Sequence, residues 1–287
     1  MSRIVYVNGE FLPEEDAKIS VFDRSFLFAD GVYEVASILE GGLIDNEAHL
    51  RRLERSLAEL KIEIPWTLEE IEAAQKETVT RNNVTEGLLY LQVSRGAADR
   101  DFAFPKDPKP VLVMFTQEKK LRDNPAAERG ISVISMEDLR WHRRDIKTVQ
   151  LLYPSIAKQA ALDAGADDAW LVEDDFVTEG TSNNAWIISE EGVLITRQLS
   201  HDILHGITRK AVMKLAELHQ IRVEERPFTI EEAHMAREAF ITSASAFVMP
   251  VVKIDGFPLG DGAPGKLTRE LRRIYLDMAH ELGKSVS

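Results

Sequence analysis

The chain has 287 residues, 44% of them hydrophobic, which is enough for one or two packed domains. Its 35 basic and 48 acidic residues leave a formal charge of −13, which argues against nucleic acid or an anionic membrane as partner. The absence of cysteine excludes disulfides and thiolate metal sites. No signal-peptide core and no apolar stretch near the ~20 residues of a membrane helix is read, so a soluble, cytoplasmic protein is expected.

In chain order, Ile4 to Val7, an Asn8-Gly9 turn and Glu10 to Leu12 predict a hairpin, because both turn residues tolerate positive φ. Val32 to Leu39 reads as a strand closed by Glu40-Gly41-Gly42. His49 to Leu60 places Leu50, Leu53, Leu57 and Leu60 on one helical face. Thr67 to Arg81 predicts a second helix, with Thr67 as N-cap and Glu70 completing a capping box. Strands at Leu88 to Val93 and Pro110 to Phe115 lead into Thr116 to Ala127, a charged stretch with Pro125 that reads as a linker.

Beyond it come a strand from Ile131 to Ser135 and a helix from Thr148 to Ala164. Short strands follow at Ala169 to Val172, Phe176 to Thr178, Ala185 to Ile188 and Val193 to Ile195. A helix from Thr208 to Leu218, strands at Ile221 to Glu225 and Ala239 to Thr242, and a helix from Leu267 to Leu282 complete the reading. Strands and helices mix without regular βαβ alternation. The expected class is therefore α+β, with an N-terminal domain over 1–118, a linker over 119–127 and a C-terminal domain over 128–287.

Four places could carry chemistry. Lys147 lies in Arg143-Arg144-Asp145-Ile146-Lys147-Thr148-Val149. A lysine that forms a Schiff base must lose its proton near neutral pH, which burial and nearby cations both favour. The same context also suits a surface lysine ahead of a helix. Glu179 ends a short β run before Gly180-Thr181-Ser182-Asn183. It is either a solvated turn carboxylate or the partner of a cofactor's pyridine nitrogen. Gly206-Ile207-Thr208 opens a helix, with Thr208 as an ordinary cap or with free N–H groups as a phosphate site. A phosphate also suits a guanidinium, for which Arg52 in His49-Leu50-Arg51-Arg52-Leu53 is a candidate; the alternative is a solvated helix face. Asp167-Asp168 and Glu173-Asp174-Asp175 flank a short strand and read as solvated turns, and the seven histidines lack ligand spacing, so no metal site is expected.

Taken together, these blocks resemble the fold type IV pyridoxal 5'-phosphate (PLP) enzymes over nearly the whole chain. That family includes D-amino-acid, branched-chain and (R)-amine transaminases and aminodeoxychorismate lyase. Within it the D-amino-acid transaminase branch is the nearest, through Asp30-Gly31-Val32-Tyr33-Glu34-Val35, Gln92-Val93-Ser94-Arg95-Gly96, Arg100, Trp141 and Asp145-Ile146-Lys147. The resemblance implies that Lys147 forms the Schiff base with PLP and later moves a proton between substrate Cα and the cofactor. It implies that Glu179 pairs with the pyridine nitrogen and that Leu204 packs on the ring. Arg52, Gly206, Ile207, Thr208 and the loop around Ser243 and Ala244 would hold the phosphate, with Ser182 and Asn183 also near the cofactor. Tyr33 would be a second catalytic residue, on the substrate side close to Lys147 and the substrate carboxylate; Arg100 would bind that carboxylate, and Phe102 would lie against the substrate.

Two departures bear on this. Phe102 stands where D-amino-acid transaminases of the best-known type have a histidine, and Ala244 stands where the family has a hydroxyl. Losing a polar partner for the carboxylate weakens discrimination against plain amines, so the implied donors extend from D-amino acids to (R)-configured amines, with a 2-oxo acid such as 2-oxoglutarate or pyruvate as acceptor. A branched-chain L-amino-acid transaminase, an (R)-amine transaminase and aminodeoxychorismate lyase are the alternatives. The family also implies a homodimer.

Overall fold

A computed structural model describes residues 2–286, without the side chains of 284–286. The outermost residues of the two expected domains, Met1 and Ser287, lie outside the described residues. The chain divides into two compact units. The first comprises the residues up to Lys120, Ile146–Gln150 and those from Ala279 onward; the second comprises Leu121–Asp145 and Leu151–Met278.

The first unit begins with the hairpin β1 (Ile4–Val7) and β2 (Glu10–Pro13), turned by Asn8 at φ 49 and Gly9 at φ 102. Next come α1 (Arg24–Phe28), β3 (Gly31–Leu39), β4 (Gly42–Leu43), α2 (Asn46–Glu59), α3 (Leu68–Arg81), β5 (Glu86–Ser94) and β6 (Val111–Glu118). They form a sheet in the order β2-β1-β6-β5-β3-β4. β3 and β5 pair antiparallel from Gly31 opposite Ser94 to Leu39 opposite Glu86. Side chains alternate across such a pair. Val32, Ala36, Leu89, Leu91, Val93, Leu112 and Met114 therefore share a core with Leu50, Leu53 and Leu57 of α2. The capping box of α3 is present, with Thr67 accepting from the Glu70 amide and Glu70 from the Thr67 amide.

The second unit holds α4 (Pro125–Arg129), β7 (Ile131–Glu137), α5 (Leu152–Asp163), β8 (Asp168–Glu173), β9 (Phe176–Gly180), β10 (Asn184–Ile188), β11 (Leu194–Thr196) and α6 (Ile207–Leu218). β12 (Val223–Glu225), α7 (Ile230–His234), β13 (Glu238–Ser243), β14 (Phe247–Ile254), β15 (Phe257–Pro258) and α8 (Lys266–Val286) complete the chain, α8 passing into the first unit at Ala279. The sheet runs β12-β11-β10-β13-β14-β7-β8-β9, with β15 on β14. Parallel pairs (β7 with β8 and β14, β11 with β12) mix with antiparallel ones, so the fold is α+β. Among the described residues no helix is long and apolar enough to cross a membrane.

Three local expectations change. The stretch read as a linker from Thr116 begins inside β6, which continues to Glu118 because Leu88 and Leu89 pair with Gln117 and Thr116. It ends in α4, started by Asn124 as N-cap with Pro125 behind it. The helix expected from Thr148 starts only at Leu152, because the backbone before it is bound to β3.

Candidate active site

Lys147 lies on extended backbone alongside β3. Its carbonyl accepts from the Tyr33 amide at 3.0 Å, Val149 N–H donates to Gly31 O at 3.1 Å, and Thr148 bridges Val32. Ile146 anchors the segment in the core. The side chain is half-buried, and Nζ stands 4.0 Å from the centre of the Tyr33 ring. Tyr33 stacks on Tyr90 at 5.6 Å, and Tyr90 on Phe115 at 4.8 Å. These rings occupy the sheet face opposite the core. Tyr90 Oη donates to Gln92 Oε1 at 2.8 Å, and Gln92 Nε2 to Ser25 Oγ at 3.1 Å. Burial, with Tyr33 beside it, pushes the Tyr90 phenol well above its usual range.

Glu34, one residue on, points to the other face of β3. Its Oε1 accepts from Arg52 Nε, its Oε2 from Arg52 Nη2, both at 2.8 Å, and His49 Nδ1 is also 2.8 Å from Oε2. All three side chains are buried. Burial alone would raise the Glu34 pKa; the charge and hydrogen bonds of Arg52, with His49, outweigh it and hold it at about 2. Arg52 is therefore fixed by a fork-to-fork pair and is not on a solvated helix face. One turn along α2, Ser56 Oγ accepts from the Lys147 amide at 3.4 Å. Arg100 lies on an exposed loop, its guanidinium 5.5 Å from the Phe28 ring and 5.6 Å from the Phe102 ring.

In the second unit Glu179 is 3% exposed at the end of β9, so the solvated-turn reading does not hold. Its Oε1 accepts from Arg140 Nη1 at 2.6 Å, and its Oε2 from Asn184 Nδ2 and the Leu204 amide, each at 3.0 Å. Arg140 is shared with Asp138, whose Oδ1 and Oδ2 accept from Nε and Nη2 at 2.9 and 2.7 Å. Burial raises the Glu179 pKa, and Arg140 opposes that only in part.

Asn184 Nδ2 also donates to Leu204 O at 3.0 Å. Two residues on, Gly206 packs so closely that an added Cβ would stand 1.9 Å from Asn184 Oδ1. Gly206 is the N-cap of α6, and no side chain caps that helix; Thr208 sits inside its first turn and is not the cap. The first intrahelical bond is Lys210 N–H to Gly206 O, so the Ile207 and Thr208 amides have no acceptor within the helix. Ser243 Oγ lies 3.4 Å from Ser245 Oγ, next to Ala244 in the tight turn from β13 to β14. Asn183 Nδ2 donates to Asp168 at 2.7 Å, and Ser182 is exposed.

The structure thus joins Tyr33 with Lys147 in the first unit, and Glu179 with Leu204 in the second. Sequence reasoning missed Arg140, Asn184 and Tyr90, and named Gln92 only within the block that carries the resemblance. For Tyr90 and Gln92 a signal existed: both flank Leu91 on a strand and so share the parity opposite the core. Among the described residues no group of three or more His, Asp or Glu is arranged to hold a metal ion.

A cofactor with a pyridine ring and a phosphate needs an anion site, an acidic partner for the ring nitrogen and an amine. Within the second unit the uncapped start of α6 beside the Gly206 cradle and the buried Glu179 fit the first two demands, and within the first unit the half-buried Lys147 is a suitable amine.

Comparison with known proteins agrees. The chain is 41% identical over 272 residues to the D-alanine aminotransferase of Staphylococcus epidermidis, covering 94% of this chain and 95% of that one. It is 38% identical over 268 residues to the D-alanine aminotransferase of Bacillus licheniformis, covering 93% and 94%. The crystal structure of a T.th. branched-chain amino acid aminotransferase with pyridoxamine 5'-phosphate superposes with a TM-score of 0.91 at 28% identity, over 98% of this chain and 95% of that one. The model of the family described as amino-transferase class IV matches residues 31–254, and the chain belongs to that family.

Proposed function

We propose that this protein is a PLP-dependent transaminase that moves the amino group of a D-amino acid, D-alanine among them, to a 2-oxo acid. The observation that carries the reading is Lys147. Its amine is held over the Tyr33 ring by backbone bonds to β3, in a chain 41% identical to a D-alanine aminotransferase.

When bound, PLP supplies an electron sink for the carbon that loses a proton. Lys147 would hold the cofactor through its amine and, when that amine is free, would take up and give back the substrate's Cα proton. One group doing both steps works best with a pKa near the operating pH. Glu179 would hold the ring nitrogen, and Leu204 would pack against the ring. The amides of Ile207 and Thr208 and the loop at Ser243 and Ala244 would hold the phosphate, with Gly206 leaving room at the helix start, and Arg52 is the guanidinium that the family reading adds. Ser182 and Asn183 border the cofactor. Tyr33 and Arg100 take the substrate carboxylate. Phe102, 80% exposed, offers an apolar contact where a histidine would offer a polar one, which supports added activity on (R)-amines.

A homodimer in the cytoplasm, the usual place of amino-acid metabolism, completes the proposal. The exposed side chains of Val21, Phe22, Phe26, Phe102 and Phe104, all on the first unit, support self-association, which light scattering would test. The likeness to branched-chain aminotransferase structures favours one second reading, transfer from branched-chain L-amino acids. Turnover assays with 2-oxoglutarate separate the two. Pyruvate from D-alanine is expected, and turnover of L-leucine without D-alanine would replace the first reading by the second.

A further inference from the structure

The segment from Ala97 to Phe104 carries Arg100 and Phe102, is mostly exposed, and has no regular structure beyond a bridge between Ala97 and Asp23. Left to itself such a segment samples many conformations, whereas an arginine that reads a carboxylate needs a fixed position. What fixes it lies underneath. Asp30 accepts Arg24 Nε at 2.7 Å, and Arg95 Nε and Nη2 at 2.8 and 3.0 Å. The Arg24 and Arg95 side chains are 3% and 2% exposed.

Arg24 then directs Nη1 to the carbonyl oxygens of Asp101 at 2.7 Å and Ala103 at 3.4 Å, one on each side of Phe102. Arg95 lies 3.7 Å from the Phe104 ring centre, and Arg24 4.5 Å from that of Phe28. Phe28 meets Phe102 edge-on at 5.6 Å, and these two rings flank the Arg100 guanidinium. The loop is thus tied at two carbonyls and one ring to cations that cannot themselves move.

We propose that Arg24, held by Asp30, is the positioning residue of the Arg100–Phe102 loop. It sets where the carboxylate-reading arginine stands without touching substrate. The proposal rests on the reading of Arg100 as that arginine. Only a planar fork spans Asp30 and the loop carbonyls at once, so lysine is no substitute.

The test uses the holoenzyme with Arg24→Lys, Arg24→Gln and Arg100→Ala. Both Arg24 variants are expected to raise KM for D-alanine ~10-fold while kcat changes less than ~3-fold. Amide hydrogen exchange should speed up over residues 99–104 and stay slow in β3 and β5. Arg100→Ala should raise KM without that faster exchange over 101–104. Phe104→Ala, at an exposed position, covers the case in which the Arg24 variants do not fold, and a ~3-fold rise in KM is expected there. If Arg100→Ala raises KM and the Arg24 variants do not, the positioning role is wrong. If Arg100→Ala leaves KM unchanged, the reading of Arg100 is wrong and the proposal goes with it. Faster exchange across the whole first unit, or rescue by lysine, would reduce Arg24 to a structural or purely charged part.

Discussion

Two buried carboxylates, each on an arginine, end in opposite states. Glu34 in the first unit is held at about 2, whereas Glu179 in the second is raised above its usual range. Burial is comparable, 2% and 3% exposed, so it cannot explain the difference. Geometry does. Arg52 gives Glu34 two parallel bonds, and His49 adds a third contact. Arg140 gives Glu179 one bond and spends its other nitrogens on Asp138, and the remaining donors to Glu179, Asn184 and the Leu204 amide, are neutral. A carboxylate whose negative charge is fully matched is an anchor. One left under-compensated gains from a further cation, such as a protonated ring nitrogen.

The comparison breaks most visibly at Glu34. Glu34→Gln should cost about 3–5 kcal/mol, because it leaves the buried Arg52 uncompensated; denaturant melts of the apoprotein would measure it, and a loss under ~1 kcal/mol would show that the pair is not an anchor. Next is the pH dependence. Glu34, with its folded pKa below its unfolded one, contributes stability present above about 4.5 and lost as pH falls toward about 2. The shift corresponds to about 3 kcal/mol. Glu179 works in the opposite sense. With its folded pKa raised, it makes the apoprotein less stable as pH rises from 4.5 through the raised value. Melts of Glu34→Gln and Glu179→Gln across pH 3–7 should show opposite changes of slope, and parallel curves would refute the contrast.

Third, Glu179→Gln should slow D-alanine transamination ~10²-fold, the scale of removing one preorganised charge contact. Assays at saturating PLP would separate this from weak cofactor binding. Gly206→Ala should cost ~1–3 kcal/mol through the Asn184 contact, with weaker PLP retention measured by dialysis. Smallest is the stability of the Glu179→Gln apoprotein, within ~1 kcal/mol of wild type, since removing the buried charge offsets the bonds that the donor-only amide nitrogen can no longer accept, from Arg140 or from Asn184 and the Leu204 amide.

Legibility followed the range of the cause. The Asn8-Gly9 turn and the Thr67–Glu70 box are set within a few residues and were readable. The start of α5 was not, because bonds from Tyr33 and Gly31 hold Lys147 and Val149 in extended backbone from more than a hundred residues away. Likewise the partner of Glu179 is Arg140, 39 residues upstream, and no local pattern marks it. The adjacent asparagines show the limit at one-residue scale. Asn183, in the bend before β10, faces Asp168, and Asn184, the first residue of β10, faces Glu179, a choice set by the backbone at the strand's start and not by residue type. Lys147, Glu179 and Gly206 were visible as a spaced set, whereas the burial and pairing that give each its chemistry came only from the fold.

The most direct test of the central claim is the visible absorption spectrum of the purified protein, before and after adding D-alanine. The account predicts a yellow PLP protein that bleaches with D-alanine and recovers with pyruvate, and a Lys147→Ala variant that does neither. A protein that stays colourless with added PLP, or that bleaches with L-leucine and not with D-alanine, would contradict it.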